Sequence, residues 1–114
     1  MGRWAQTRRH GSFVQGFVAS PPTNVAWDVD NDGDQLSYNA VGPGPGNGVD
    51  AMEFESYLLA TPGTIIETVA TAIGSVVTAG HIFTVGQATG SRVRWLISPN
   101  KPVSGWSAEK PFTF

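Results

Sequence analysis

The chain has 114 residues, a formal net charge of −2 and no cysteine, which predicts one domain and excludes disulfides, thiolate metal sites and cysteine nucleophiles. Only 14% of the residues are charged, against about 25% in an average domain, while 14 are glycine and 8 proline. That balance suits short strands joined by turns and argues against a broad basic face for nucleic acid.

Residues 1–22 read as an extended arm and linker, and 23–114 as a β domain. The arm carries Arg3, Arg8, Arg9 and His10 without an acid. No apolar run follows these charges, so no secretory leader is expected. Trp4, Phe13 and Phe17 lie among Gly, Ser and Gln without helical period. Disordered tails are poor in aromatics, so the arm is predicted to rest on something apolar. Its partner-binding candidates are Arg3, Trp4, Arg8, Arg9, Phe13 and Phe17. Ser12 to Ala19 has the character to add a strand, and Ser20-Pro21-Pro22 then enforces an extended connector.

From Asp28 to Ser91 there are eight acids (Asp28, Asp30, Asp32, Asp34, Asp50, Glu53, Glu55 and Glu67) and no lysine or arginine. Two readings follow: a short solvated tail on an acidic domain, or an arm that docks on an acidic surface of its own domain or of a neighbour. Val25, Trp27 and Val29 alternate with Ala26, Asp28 and Asp30, and Leu36, Tyr38 and Ala40 with Ser37 and Asn39. The pattern predicts a hairpin over 23–41 with its turn at Asp32-Gly33. Gly42 to Gly48, interleaved with proline, predicts a loop crossing between sheets.

Phe54 to Ala60 reads as a strand, broken at Thr61-Pro62-Gly63. Ile65, Val69, Ile73 and Val77 recur every four residues like a helix face, yet the β-branched content favours strands at 65–70 and 75–78. Both readings stay open. The stretch Thr64 to Val85 contains Glu67 and His81 and is too polar for a membrane span. Strands are expected at 81–87, 92–98 and 109–114, with turns at 88–91 and 99–105. In the middle strand Val93, Trp95 and Ile97 face opposite to Arg92 and Arg94. About seven short strands at spacings near ten residues predict an all-β sandwich.

Catalytic constellations are missing from the pattern. Asp28-Val29-Asp30-Asn31-Asp32-Gly33 opens like a calcium loop, making Asp28, Asp30 and Asp32 metal candidates, but Asn39 stands where a bidentate glutamate belongs. An acidic hairpin edge that resists strand addition is the competing account. His10 and His81 have no spaced metal-binding partner, and no serine sits in a G-x-S-x-G elbow. Glu53 and Glu55 share a strand face as neighbouring surface acids do, and the glycine-rich loop lacks the lysine of a phosphate loop. No cofactor, small-molecule substrate or membrane partner is expected.

The run from Thr89 to Ser98, followed by Gly105-Trp106-Ser107 and Pro111-Phe112-Thr113-Phe114, resembles the last two strands of a fibronectin type III domain, and the likeness implies an immunoglobulin- or fibronectin III-like β-sandwich of about seven strands. The opening Met-Gly-Arg-Trp-Ala-Gln-x-Arg-Arg is similar to small virion proteins of tailed bacteriophages. That likeness implies a non-enzymatic structural role in the virion, as capsid decoration or tail component, with copies of itself and other virion subunits as partners. The alternative is a carbohydrate- or ligand-binding fibronectin III-like module with Trp95, Trp106 or Tyr57 as platform.

Overall fold

The computed structural model describes residues 18–22, 27–40, 44–97 and 101–114. The described residues form strands β1 (Trp27–Asp32), β2 (Gln35–Ala40), β3 (Ala51–Leu58), β4 (Ile65–Ala72), β5 (Val76–Ile82), β6 (Ala88–Ile97), β7 (Lys101–Pro102) and β8 (Lys110–Thr113). They build two antiparallel sheets, one ordered β1-β2-β5 and the other β4-β3-β6, with β7 and β8 sharing the far side of β6. This is an all-β sandwich.

The first hairpin forms because its alternation is consistent on both arms. Trp27, Leu36, Tyr38 and Ala40 are buried, whereas Asp28, Asp30 and Asp32 are exposed. The pairing Asp32↔Gln35 makes Gly33-Asp34 the loop, one residue later than the expected turn. Only Gly33 of the two has positive φ, at 69°, the pattern of a type II′ turn with glycine first. Moving the loop by one residue moves the register by two, so every side chain keeps its face.

β2 belongs to the smaller sheet and β3 to the larger, so the connection between them crosses between sheets, as expected, and its described part is 44–50. Gly46, Asn47 and Gly48 all have positive φ, which explains why this stretch is built of glycine and asparagine. The four-residue spacing of Ile65 to Val77 belongs to strands, because four is an even number and also repeats on a strand face. β4 and β5 lie in different sheets, joined by a tight turn at Gly74, whose φ is 85°. A bulge in the β3–β4 pairing sets Ile65 opposite Tyr57 and Glu67 opposite Ser56. It turns Ile65 outward and Glu67 inward.

Several boundaries differ from the sequence reading, and Lys101–Pro102, expected within a turn over 99–105, form β7 against the end of β6. β3 starts at Ala51 rather than Phe54. The strand expected over 81–87 is the end of β5 followed by a turn at Gly86. Residues 88–91, expected as a turn, are the first part of β6, paired on one side with β3 and on the other with β8. Gly90 serves close approach there, since a Cβ on it would sit 2.7 Å from the Tyr57 ring.

The core between the sheets holds Trp27, Leu36, Tyr38, Met52, Phe54, Phe83, Val93 and Trp95. Tyr38 stacks on Phe54 at 4.5 Å between ring centroids. Ala19 joins this core at 6% exposure, bridges Ser104 in parallel and donates its N–H to Val103 O at 2.7 Å. The last residues of the arm therefore run along the β7 side of the larger sheet. Arg3, Trp4, Arg8, Arg9, Phe13 and Phe17 lie outside the described residues.

Candidate functional site: the two outer faces

On the larger sheet the register places Glu53 opposite Arg94 and Glu55 opposite Arg92, all on the outer face. Arg94 bonds Glu53 at 2.6 Å, and Arg92 pairs with Glu55. Trp106, from the β7–β8 connection, lies 4.3 Å from the Arg94 guanidinium and 5.8 Å from that of Arg92. Arg92 in turn stands 5.3 Å from the Tyr57 ring. Tyr57, Arg92, Trp106 and Arg94 thus form one layer of alternating rings and cations, in which each ring face attracts its neighbouring charge.

The end of this layer is closed by Tyr57, whose hydroxyl donates to Glu109 Oε1 at 2.6 Å. Burial, and then the hydrogen bond to Glu109, push the Tyr57 hydroxyl up to about 12. Tyr57 and Glu109 thereby satisfy each other, as Arg94 and Glu53 do. The sequence reading saw each charge on its strand face but not the pairing, because register across β3 and β6 is a tertiary fact.

The layer also holds the chain where β7 and β8 part. Ser104 Oγ accepts the Trp95 N–H at 2.9 Å and Ser107 Oγ accepts the Val93 N–H at 3.0 Å. The proposed aromatic platform is not assembled: Trp95 and Tyr57 are each 2% exposed, and Trp106 is half-buried against Arg94. No protein-family model matches this chain, and no curated protein matches it significantly.

The smaller sheet presents a different face. Asp28, Asp30 and Asp32 project from it at alternate positions of β1, with Asp34 in the adjoining turn. Alternate residues on a strand are about 6.8 Å apart, so these carboxylates run in a line and do not converge on one ion. Among the described residues no three His, Asp or Glu side chains gather as a metal site. The local bonds are small ones: Asp30 Oδ1 accepts the Asn31 N–H at 2.8 Å, and Asp32 Oδ2 accepts from Thr78 Oγ1 at 3.4 Å. The two ion pairs among the described residues involve neither these aspartates nor Asp34.

Between the faces, at the β4–β5 edge, Glu67 accepts the Gly80 N–H at 2.6 Å and the His81 N–H at 2.8 Å. It satisfies two edge donors that would otherwise invite another strand. The His81 ring is exposed and stands 4.6 Å from the Phe83 ring; His10 lies outside the described residues. In the interior, burial raises the Tyr38 hydroxyl, against the opposing effect of Ser56 and Ser91 beside it.

Proposed function

We propose that this chain is a non-enzymatic assembly protein. Its place is the virion of a tailed bacteriophage, as capsid decoration or tail component, holding neighbouring subunits through the N-terminal arm and the sandwich faces. The observation that carries the reading is the division of charge. All nine acids fall at or after Asp28, with four bases (Arg92, Arg94, Lys101 and Lys110), a formal −5, while residues 1–17 hold three arginines and no acid. Within the domain, Arg92 and Arg94 are spent on Glu55 and Glu53, and Lys110 donates to Trp27 O. The arm is the remaining cluster of positive charge, and the smaller sheet is the remaining cluster of negative charge.

The strand order supports fibronectin III-like membership. β4 pairs with β3 rather than β5, which sets the sandwich apart from the constant-type immunoglobulin arrangement. The Trp106-Ser107 pair that carried the resemblance sits at the break between β7 and β8. The virion assignment rests on the likeness of the first nine residues.

Purified particles provide the test, by mass spectrometry for presence and electron microscopy for position. The expected result is ordered, symmetric copies of the domain, lost when residues 1–17 are deleted. That cut spares Ala19 and its bond to Val103. Absence of the chain from particles would overturn the reading.

A further inference from the structure

We infer that the arm of one copy docks on the Asp34 end of the smaller sheet of the next copy, so that copies join head to tail. The inference rests on the assembly reading above and names the partner and the surface. Three observations lead to it.

The first is direction. Ala19 runs parallel to β7 beside Ser104, so the chain reaches Val18 from the Lys101 end of the larger sheet. The Gly33-Asp34 turn lies at the opposite end, where the Phe83 N–H donates to Asp34 O at 2.8 Å and β5 passes into the turn before β6. An arm entering at one end meets the other end of a neighbour placed beyond it without reversing. To reach its own Asp34 it must double back along the whole domain.

The second is chemistry. Asp30, Asp32 and Asp34 are exposed, and none belongs to an ion pair among the described residues. Ile82, 66% exposed, pairs with Gln35 at the foot of the turn, and Val85, 85% exposed, follows two residues after Phe83, whose N–H bonds Asp34 O. The combination of carboxylates and bare aliphatic side chains suits a segment that mixes arginine with aromatics. Residues 1–17 are such a segment, with Arg3, Arg8 and Arg9 beside Trp4, Phe13 and Phe17. Charge sets approach and register, and the rings supply buried area.

The third is reach. Seventeen extended residues span up to about 56 Å, whereas Asp30 to Asp32 covers only about 7 Å of strand before the turn that holds Asp34. The arm is long enough to cross a subunit boundary and still lie over the patch. With the arm leaving one end of the domain and the patch at the other, neighbours set end to end make a heterologous contact, which generates rings or open stacks.

The test uses three full-length proteins: wild type, an arm variant (R3A/R8A/R9A) and a patch variant (D30N/D32N/D34N). Sedimentation at low salt over a range of concentrations should show wild-type self-association that weakens as salt rises. Each variant alone should associate about tenfold more weakly or worse, the size expected from losing three exposed ion pairs. An equimolar mixture of the two variants should form a 1:1 complex, since it contains one intact arm and one intact patch. A monomeric wild type, a patch variant that associates normally, or a mixture without a complex would each overturn the inference. If particles still contain the chain in those cases, the assembly reading stands and only this contact fails. If particles lack it, that reading fails on its own account.

Discussion

Removing the Tyr57 hydroxyl tests whether the outer layer of the larger sheet stabilises the fold. Tyr57 is 2% exposed and donates to Glu109, itself exposed, at 2.6 Å. At neutral pH Tyr57→Phe frees a carboxylate that water rehydrates, so the loss is about 1 kcal/mol, roughly 4 °C in Tm. The alkaline limb is more telling. Burial first, then Glu109 and the Glu55 charge, raise the hydroxyl from 10.0 to about 12, with Arg92 opposing. A raised folded-state value means that the native protein keeps its proton after the unfolded chain has released one. The associated stability is therefore full below pH 10.0 and declines as pH rises to about 12. Two units correspond to about 2.7 kcal/mol, which hydration at the exposed Glu109 end reduces to about 1–2 kcal/mol. Guanidinium midpoints of wild type and Tyr57→Phe across that range, with tyrosinate absorbance followed in parallel, give the measurement. The variant should lose less stability on alkalinisation, keeping the slope due to Tyr38, which burial also raises. A wild type and variant with parallel pH profiles would refute the argument.

Trp106→Ala should cost about 2 kcal/mol by denaturant unfolding, from the Arg94 and Arg92 contacts and the half-buried ring; a loss under about 0.5 kcal/mol would make the layer ornamental. Glu67→Ala should speed hydrogen exchange at the Gly80 and His81 amides and lower stability by about 1–2 kcal/mol. Unchanged exchange at both amides would count against an edge-capping role. Gly33→Ala should destabilise by about 1 kcal/mol through its φ of 69° alone, since nothing lies within 4 Å of the added Cβ. Gly33→Asn should cost less in the same melting assay, and equal losses would show that the left-handed backbone is not the cause.

Much of the fold was readable where one physical signal acted locally. Alternation around Trp27 and Tyr38 revealed the hairpin, and β-branched content outweighed the helical spacing of Ile65 to Val77. Glycine was the least readable residue. Gly90 looked like a turn and is a close-approach residue under Tyr57, a distinction that depends on a ring from another strand. The candidate site divides in the same way. Strand parity set Arg92 and Arg94 on one face, and Glu53 and Glu55 on another such face. Their pairing needed the antiparallel register of β3 with β6.

By itself the sequence determined the all-β class, the faces of the strands and the separation of a cationic arm from an anionic domain, because parity and composition are properties of the chain. Tertiary structure alone decided which charges cancel, which carboxylates of the smaller sheet belong to no ion pair among the described residues, and which way Ala19 runs beside Ser104. Those depend on register and strand direction, and a two-residue shift in pairing changes every neighbour while leaving every face the same.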